Sequence, residues 1–313
     1  MEFSHTSVLL DESVENLLCS PGKTMVDCTL GGGGHALHVM RRILPGGRLI
    51  GLDKDKEALE SATERLGEFK NAFYPVHADF VDIQSVLDSL GIAGIDGCLL
   101  DLGVSSYQLD NPDRGFSYNA DAPLDMRMDR DQKLSAYDVV NGYSQKELTR
   151  IIREYGEERF AARIAARIVK QREHKPVSST FELADTVREA IPAAARRTGP
   201  HPARRTFQAI RIEVNSELEH LEKALEAVVG VLNPGGRLCV ITFHSLEDRL
   251  VKNAFSTWAD PCICPKDFPE CVCGKAPKGR VVTRRPIVPG KDELEQNARA
   301  RSAKLRVFEK SGY

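Results

Sequence analysis

Short apolar runs alternate with amphipathic stretches through the first hundred residues. Thr24–Leu30, Arg48–Asp53, Phe73–Ala78 and Ile95–Leu102 have the length of buried strands, while Ala36–Leu44, Lys56–Leu66 and Ile83–Leu90 carry apolar residues at helical spacing. Before them, Val14, Leu17 and Leu18 predict a short helix within Asp11–Cys19. Strand and helix in strict alternation predict an α/β fold with a mostly parallel, doubly wound sheet. Right-handed crossovers then bring the carboxyl ends of the strands to one edge, where such sheets bind ligands.

The alternation stops after Asp101-Leu-Gly-Val-Ser-Ser. Residues 107–206 predict an inserted, all-helical domain for substrate recognition, with 1–106 and 207–313 forming one discontinuous domain around it. Ser144-Gln-Lys-Glu147 and Ser179-Thr-Phe-Glu182 have capping-box spacing. Between them Glu158–Lys175 reads as a long amphipathic helix, with Arg159, Arg163 and Arg167 on one face. The sheet pattern resumes with a helix over Ala209–Leu232, a strand over Arg237–Phe243 and a helix over Leu246–Trp258. Val281–Val288 and Lys304–Phe308 supply two last strands.

The chemistry begins at the first strand–helix junction. Gly31 to Gly34 lack a Cβ, so the backbone there can take positive φ and approach a ligand closely. Asp27 closes the first strand and Asp53 the second, about twenty residues past the glycines, the usual offset for an acid that grips ribose hydroxyls. Asp79 and Asp101 stand at the ends of the third and fourth strands, although Asp79 also suits a helix cap.

Composition narrows the class. In 313 residues, 42% apolar content is ordinary for a folded core, and no apolar run reaches the length of a membrane span, so a cytoplasmic protein without a membrane partner is expected. The net charge of −2 conceals local basic surfaces, with eleven Lys/Arg against four Asp/Glu between Lys275 and Lys310. Between Arg188 and Arg205 there are five Arg against one Glu. Arg196, Arg197, Arg204 and Arg205 in one loop, the helical Arg159, Arg163 and Arg167, and Arg284 and Arg285 near the C-terminus are candidates for a polyanionic partner. For each segment a solvated face is the plainer alternative. Cys19, Cys28, Cys98 and Cys239 sit singly in apolar runs, as free core thiols do. Cys262, Cys264, Cys271 and Cys273 are clustered. Four thiols in twelve residues could close a loop around zinc, but Cys-x-Cys is tighter than the usual Cys-x-x-Cys, and reduced or redox-labile thiols remain the alternative.

Longer blocks go further. Asp27-Cys-Thr-Leu-Gly-Gly-Gly-Gly-His35, Asp101-Leu-Gly-Val-Ser-Ser-Tyr-Gln-Leu-Asp110, Arg114-Gly-Phe-Ser, Pro123-Leu-Asp-Met-Arg-Met128, Tyr155-Gly-Glu-Glu-Arg159, Arg205-Thr-Phe-Gln-Ala-Ile-Arg-Ile212 and Phe243-His-Ser-Leu-Glu-Asp-Arg249 resemble the MraW-type family of ribosomal RNA small-subunit methyltransferase H over nearly the whole chain. One departure is Ala298, where that family usually has proline. The resemblance implies a Rossmann-like class I methyltransferase fold and S-adenosyl-L-methionine as donor. The implied substrate is the 4-amino group of cytosine 1402 in 16S RNA, within the decoding centre of the 30S subunit. It further implies that Gly33, Gly34, His35, Asp53, Phe80, Asp101 and Gln108 bind the donor, with Asp27 and Gly31 beside them on the reading above.

A cytosine amine is a weak nucleophile, so the protein must align it with the methyl group and accept its proton. Candidate acceptors are Asp101, Ser105 and Ser106, then His244 with Ser245. Two other classes share some of these features: a nicotinamide-dependent oxidoreductase, and a non-catalytic RNA-binding ribosome assembly factor. The chain is expected to be a monomer or homodimer.

Overall fold

The computed structural model describes residues 7–197, 199–265 and 270–312. They divide into two compact units, one of Met1–Gly103 with Leu218–Tyr313 and one of Val104–Glu217.

The first unit is built on seven strands: β1 (Thr24–Asp27), β2 (Arg48–Asp53), β3 (Phe73–His77), β4 (Ile95–Asp101), β5 (Leu232–Thr242), β6 (Gly279–Val281) and β7 (Lys304–Lys310). Their order across the sheet is β3-β2-β1-β4-β5-β7-β6. The first five are parallel, and β7 runs antiparallel to β5 and β6. Side-chain alternation sends successive residues to opposite faces. Val26, Ile50, Leu52, Cys98 and Val240 join one apolar layer, and Met25, Leu49, Leu99, Cys239 and Ile241 the other. The second layer is covered by α1 (Leu10–Asn16), α2 (Gly34–Ile43) and α3 (Lys56–Arg65). On the first layer lie α4 (Ile83–Ser89), the 218–231 part of α11 (Glu217–Val231) and α12 (Ser245–Ala259). A small helix, α13 (Lys291–Gln296), precedes β7.

The second unit holds α5 (Ser106–Asp110), α6 (Ala136–Gly142), α7 (Gln145–Glu154), α8 (Ala161–His174), α9 (Thr180–Ala190) and α10 (Arg204–Asn215) around a core that includes Val139, Ile151, Ile164, Val187 and Ile210. Ser144 and Ser179 each accept a hydrogen bond from the amide three residues on, as their spacing predicts, and the Ser144 pair with Glu147 is a full capping box.

Four expectations need correction. The helix expected over 209–232 is two helices, broken where Ser216 turns to φ 50°. Asn215 anchors that break: its side chain accepts from the Met128 amide and donates to the Met126 carbonyl, both at 2.8 Å. In consequence α10 packs Phe207, Ile210 and Val214 into the helical core, so this unit extends past residue 206 to Glu217. The expected helix from Glu158 begins only at Ala161, since Glu157 has φ 48°. Arg159 therefore precedes the helix and does not share a helical face with Arg163 and Arg167. Finally, Val281–Val288 forms no continuous strand: β6 ends at Val281, and only Ile287 makes a further isolated bridge, to Leu305.

Candidate active site

The carboxyl ends of β1, β2 and β4 carry Asp27, Asp53 and Asp101, and β1 lies between the other two strands. Asp53 is fixed by the loop that follows β1. One carboxylate oxygen accepts the Gly31 amide at 2.8 Å and the other the Asp55 amide at 2.9 Å. Asp27 is almost fully buried and accepts the Thr29 amide at 3.2 Å. Thr29 also orients β4, since its Oγ1 accepts the Asp101 amide at 2.6 Å.

Electrostatics mark this edge. Burial pushes the Asp27 carboxyl up to about 7 against the pull of the Thr29 amide, with the Asp53 charge adding to the rise. Burial also takes Asp53 up to about 6, although the Asp55 and Gly31 amides stabilise its charge. Asp101 is raised well above the usual carboxylate range by burial first, then by the Asp27 and Glu247 charges. Its Oδ1 is closed off from solvent and has no hydrogen-bond partner among the described residues. Its Oδ2 lies 3.7 Å from His35 Nδ1, and the other ring nitrogen of His35 meets the Val8 carbonyl at 3.0 Å. Carboxyls that resist ionisation for want of a counter-charge suit a cationic ligand.

The glycines divide their work. Gly31, at φ 50°, has open space where a Cβ would stand, its nearest neighbour being the Thr29 carbonyl oxygen at 3.9 Å. Gly33 takes φ 73° as the N-cap of α2, and a Cβ there would press on Ala62. A Cβ on Gly34 would collide with Ser7 Oγ. Thus Gly31 leaves room for a ligand, while Gly33 and Gly34 let α2 start close to its neighbours. Phe80 opens a single 3-10 turn after β3, with the Lys54 ammonium 5.9 Å from its ring centre. The fourth strand-end acid is committed to structure: Asp79 caps that turn through Val81 and meets His220 at 2.9 Å and Lys54 at 3.2 Å. Burial alone would raise it, but His220 and Lys54 bring it down to about 2.

His244 is the N-cap of α12. Its Nδ1 accepts the Glu247 amide, Nε2 lies 3.1 Å from Glu247 Oε1, and Glu247 Oε2 accepts the amides of Phe243 and His244. Glu247 is buried, bears on Asp101, and was not singled out from the sequence. Its position three residues after His244 is a capping-box signal that would have found it. In the helical unit Ser105 and Gln108 form the capping box of α5, with Gln108 Oε1 accepting the Ser105 amide at 3.0 Å and Ser105 Oγ accepting the Gln108 amide at 3.2 Å. Ser106 is the first residue of that helix.

The basic candidates are mostly exposed. Arg163 and Arg167 line a groove on the helical unit with Lys170, but Glu189 pairs with Arg167 there. Arg159 stacks on Phe160 with its guanidinium carbon 4.6 Å from the ring centre. Arg205 donates to the Glu157 carbonyl at 3.1 Å, whereas Arg196, Arg197 and Arg204 stand in solvent. Arg284 and Arg285 are exposed on the sheet-containing unit. Cys28, Cys98 and Cys239 are buried free thiols, Cys19 is half-buried, and the four clustered cysteines lie at the surface.

A sheet ordered 3-2-1-4-5-7-6 with only its seventh strand reversed, and with acids and a glycine turn at the carboxyl ends of its central strands, defines a Rossmann-like class I methyltransferase. The MraW methylase family model matches residues 2–311, and the chain belongs to that family. It is 56% identical over 310 residues to ribosomal RNA small subunit methyltransferase H of Lachnospira eligens, covering 99% of this chain and 98% of that protein. The same-named protein of Carboxydothermus hydrogenoformans is 56% identical over 313 residues, covering all of both chains, and that of Clostridioides difficile is 54% identical over 310 residues, covering 99% of this chain and all of its own.

Proposed function

We propose that this methyltransferase uses S-adenosyl-L-methionine to methylate the exocyclic N4 of one cytidine, cytosine 1402, in 16S RNA of the small ribosomal subunit. The observation that carries the reading is the group of three ionisation-resistant carboxyls at the ends of β2, β1 and β4, with Asp101 Oδ1 left unpartnered. The donor supplies an electrophilic methyl on a sulfonium cation, and such a cation is the missing counter-charge.

Asp53, held by Gly31 and Asp55, faces its remaining lone pairs to ribose hydroxyls, and Phe80 lies against the adenine. The open face of Gly31 admits the ligand, and Asp27, Gly33, Gly34 and His35 complete the donor side, while Gln108 belongs to the helical unit, where it caps α5. Asp101 accepts the hydrogen bond of the amine as its nitrogen becomes tetrahedral and takes the proton once it ionises. Ser105 and His244 serve as caps on this reading, which leaves Asp101 ahead of them and of Ser106 as proton acceptor. A nicotinamide dinucleotide would bring an anionic diphosphate to the glycine turn, where the Asp27 and Asp53 carboxyls disfavour it. The basic groove of Arg163 and Arg167, with Arg159, Arg196, Arg197, Arg204, Arg205, Arg284 and Arg285, meets phosphates of the RNA.

The test is methyl incorporation from labelled donor into small subunits that lack the modification, beside large subunits and free RNA. Label confined to the small-subunit sample supports the reading. Subunit binding without incorporation would favour the assembly-factor alternative.

A further inference from the structure

The chain leaves α12 at Ala259 and returns at Lys278, whose amide donates to the Trp258 carbonyl at 2.8 Å and whose ammonium reaches Glu226 at 2.6 Å. Between these points the described residues form no helix or strand. Nor do they bury an apolar core, for Ile263 and Val272 are 70% and 74% exposed. A segment of this length without a core needs another staple.

Its four thiols converge instead. All four sulfurs lie within 4.8 Å of one another. Cys271 Sγ is 3.6 Å from Cys262, 3.5 Å from Cys273 and 3.9 Å from Cys264, and Cys262 and Cys273 are 4.0 Å apart. A disulfide needs about 2.05 Å, so none of these distances is a bond. A tetrahedral metal with metal–sulfur bonds of about 2.3 Å has sulfur–sulfur edges of about 3.8 Å, inside the 3.5–4.0 Å spread of those four distances. Amides also point at the cluster, since Val272 donates to Cys264 Sγ at 3.3 Å and the Ile263 and Lys275 amides face Cys273. Such donors offset the charge that thiolates carry around a cation.

We propose that Cys262, Cys264, Cys271 and Cys273 bind one zinc ion in a tetrathiolate site that joins residues 260–265 to residues 270–277. All-sulfur tetrahedral donors select a soft divalent ion, and four protein ligands leave no open position, so the site is structural and stands apart from methyl transfer. The tight Cys-x-Cys spacing is met by taking two ligands from each end of the loop. Each pair then anchors one side of the excursion to the other.

The full-length chain, prepared with zinc and reductant and then dialysed, should retain about one zinc per chain by elemental analysis. Cobalt in its place should show the thiolate charge-transfer and intense visible bands of a tetrahedral sulfur site. In Cys262→Ser/Cys271→Ser the metal should fall at least tenfold while donor affinity stays within twofold of wild type. If that variant misfolds, chelator-treated wild type provides the comparison, and protease cleavage confined to 260–277 should appear only after chelation. A metal-free wild-type chain with all four thiols reactive would overturn the proposal, as would cobalt spectra of an octahedral oxygen site.

Discussion

Donor binding should be coupled to proton release at the strand edge. In the free protein burial holds the Asp27 carboxyl up at about 7 and Asp53 at about 6. A cation placed among them favours the ionised forms, so affinity must rise with pH. At about pH 5.5 a group titrating at about 7 is roughly 97% protonated, which weakens a ligand that requires the carboxylate by about 30-fold relative to about pH 8, or ~2 kcal/mol. Asp53 alone contributes about 4-fold over the same interval. Calorimetric titration with S-adenosylmethionine in two buffers of different ionisation enthalpy measures both the affinity and the protons released. Asp27→Asn should flatten the dependence to the few-fold Asp53 share. S-adenosylhomocysteine, which shares the amino-acid group but lacks the sulfonium charge, should respond much less in wild type. Equal pH dependence for the two ligands, or none for either, would refute the electrostatic reasoning.

The unliganded protein should show the same coupling in its stability. Folded Asp27 keeps a proton that the unfolded chain has lost between about pH 4 and 7, so stability should fall as pH rises through that window, and Asp27→Asn should remove its share of the slope while Asp53 and Asp101, raised likewise, keep theirs; denaturant melts at several pH values check this. Asp79 has the opposite sign: its carboxylate, brought down to about 2, stabilises the fold above about pH 4 and loses that contribution toward pH 2, so Asp79→Ala should cost ~2 kcal/mol at neutral pH and little in acid. Asp53→Ala removes the acceptor for the Gly31 and Asp55 amides and should weaken donor binding at least tenfold in the same calorimetric assay. Arg163→Glu with Arg167→Glu should lower the salt dependence of small-subunit binding by about two phosphate contacts while donor affinity holds.

The sheet was legible because parallel strands buried on both faces are continuous apolar runs, and Met25–Val26, Leu49–Leu52 and Cys98–Leu100 lie in such runs, whereas the edge strand β3 buries only Phe73. The edge acids were legible because strand ends are. That Asp79 caps the turn after it was legible too, but its pairing with Lys54 and His220 was not, since these come from distant parts of the chain. The break at Ser216 was equally hidden: Glu213-Val-Asn-Ser-Glu217 is compatible with helix locally, and what ends it is Asn215 bonding to Met126 and Met128, nearly ninety residues away. The glycine run shows the limit from another side. Four identical residues read alike in sequence, yet only packing separates Gly31, open above, from Gly34, closed by Ser7.

The most direct measurement is the identity of the product nucleoside. Small subunits lacking the modification would be incubated with S-adenosylmethionine and wild-type or Asp101→Ala protein, and their 16S RNA digested and analysed by mass spectrometry. Wild type should give 4-methylcytidine at a single position, and the folded Asp101 variant should lose it by at least a hundredfold, about 3 kcal/mol of transition-state stabilisation. A methyl group on a ring carbon or a ribose hydroxyl, or full activity in the variant, would contradict this reading.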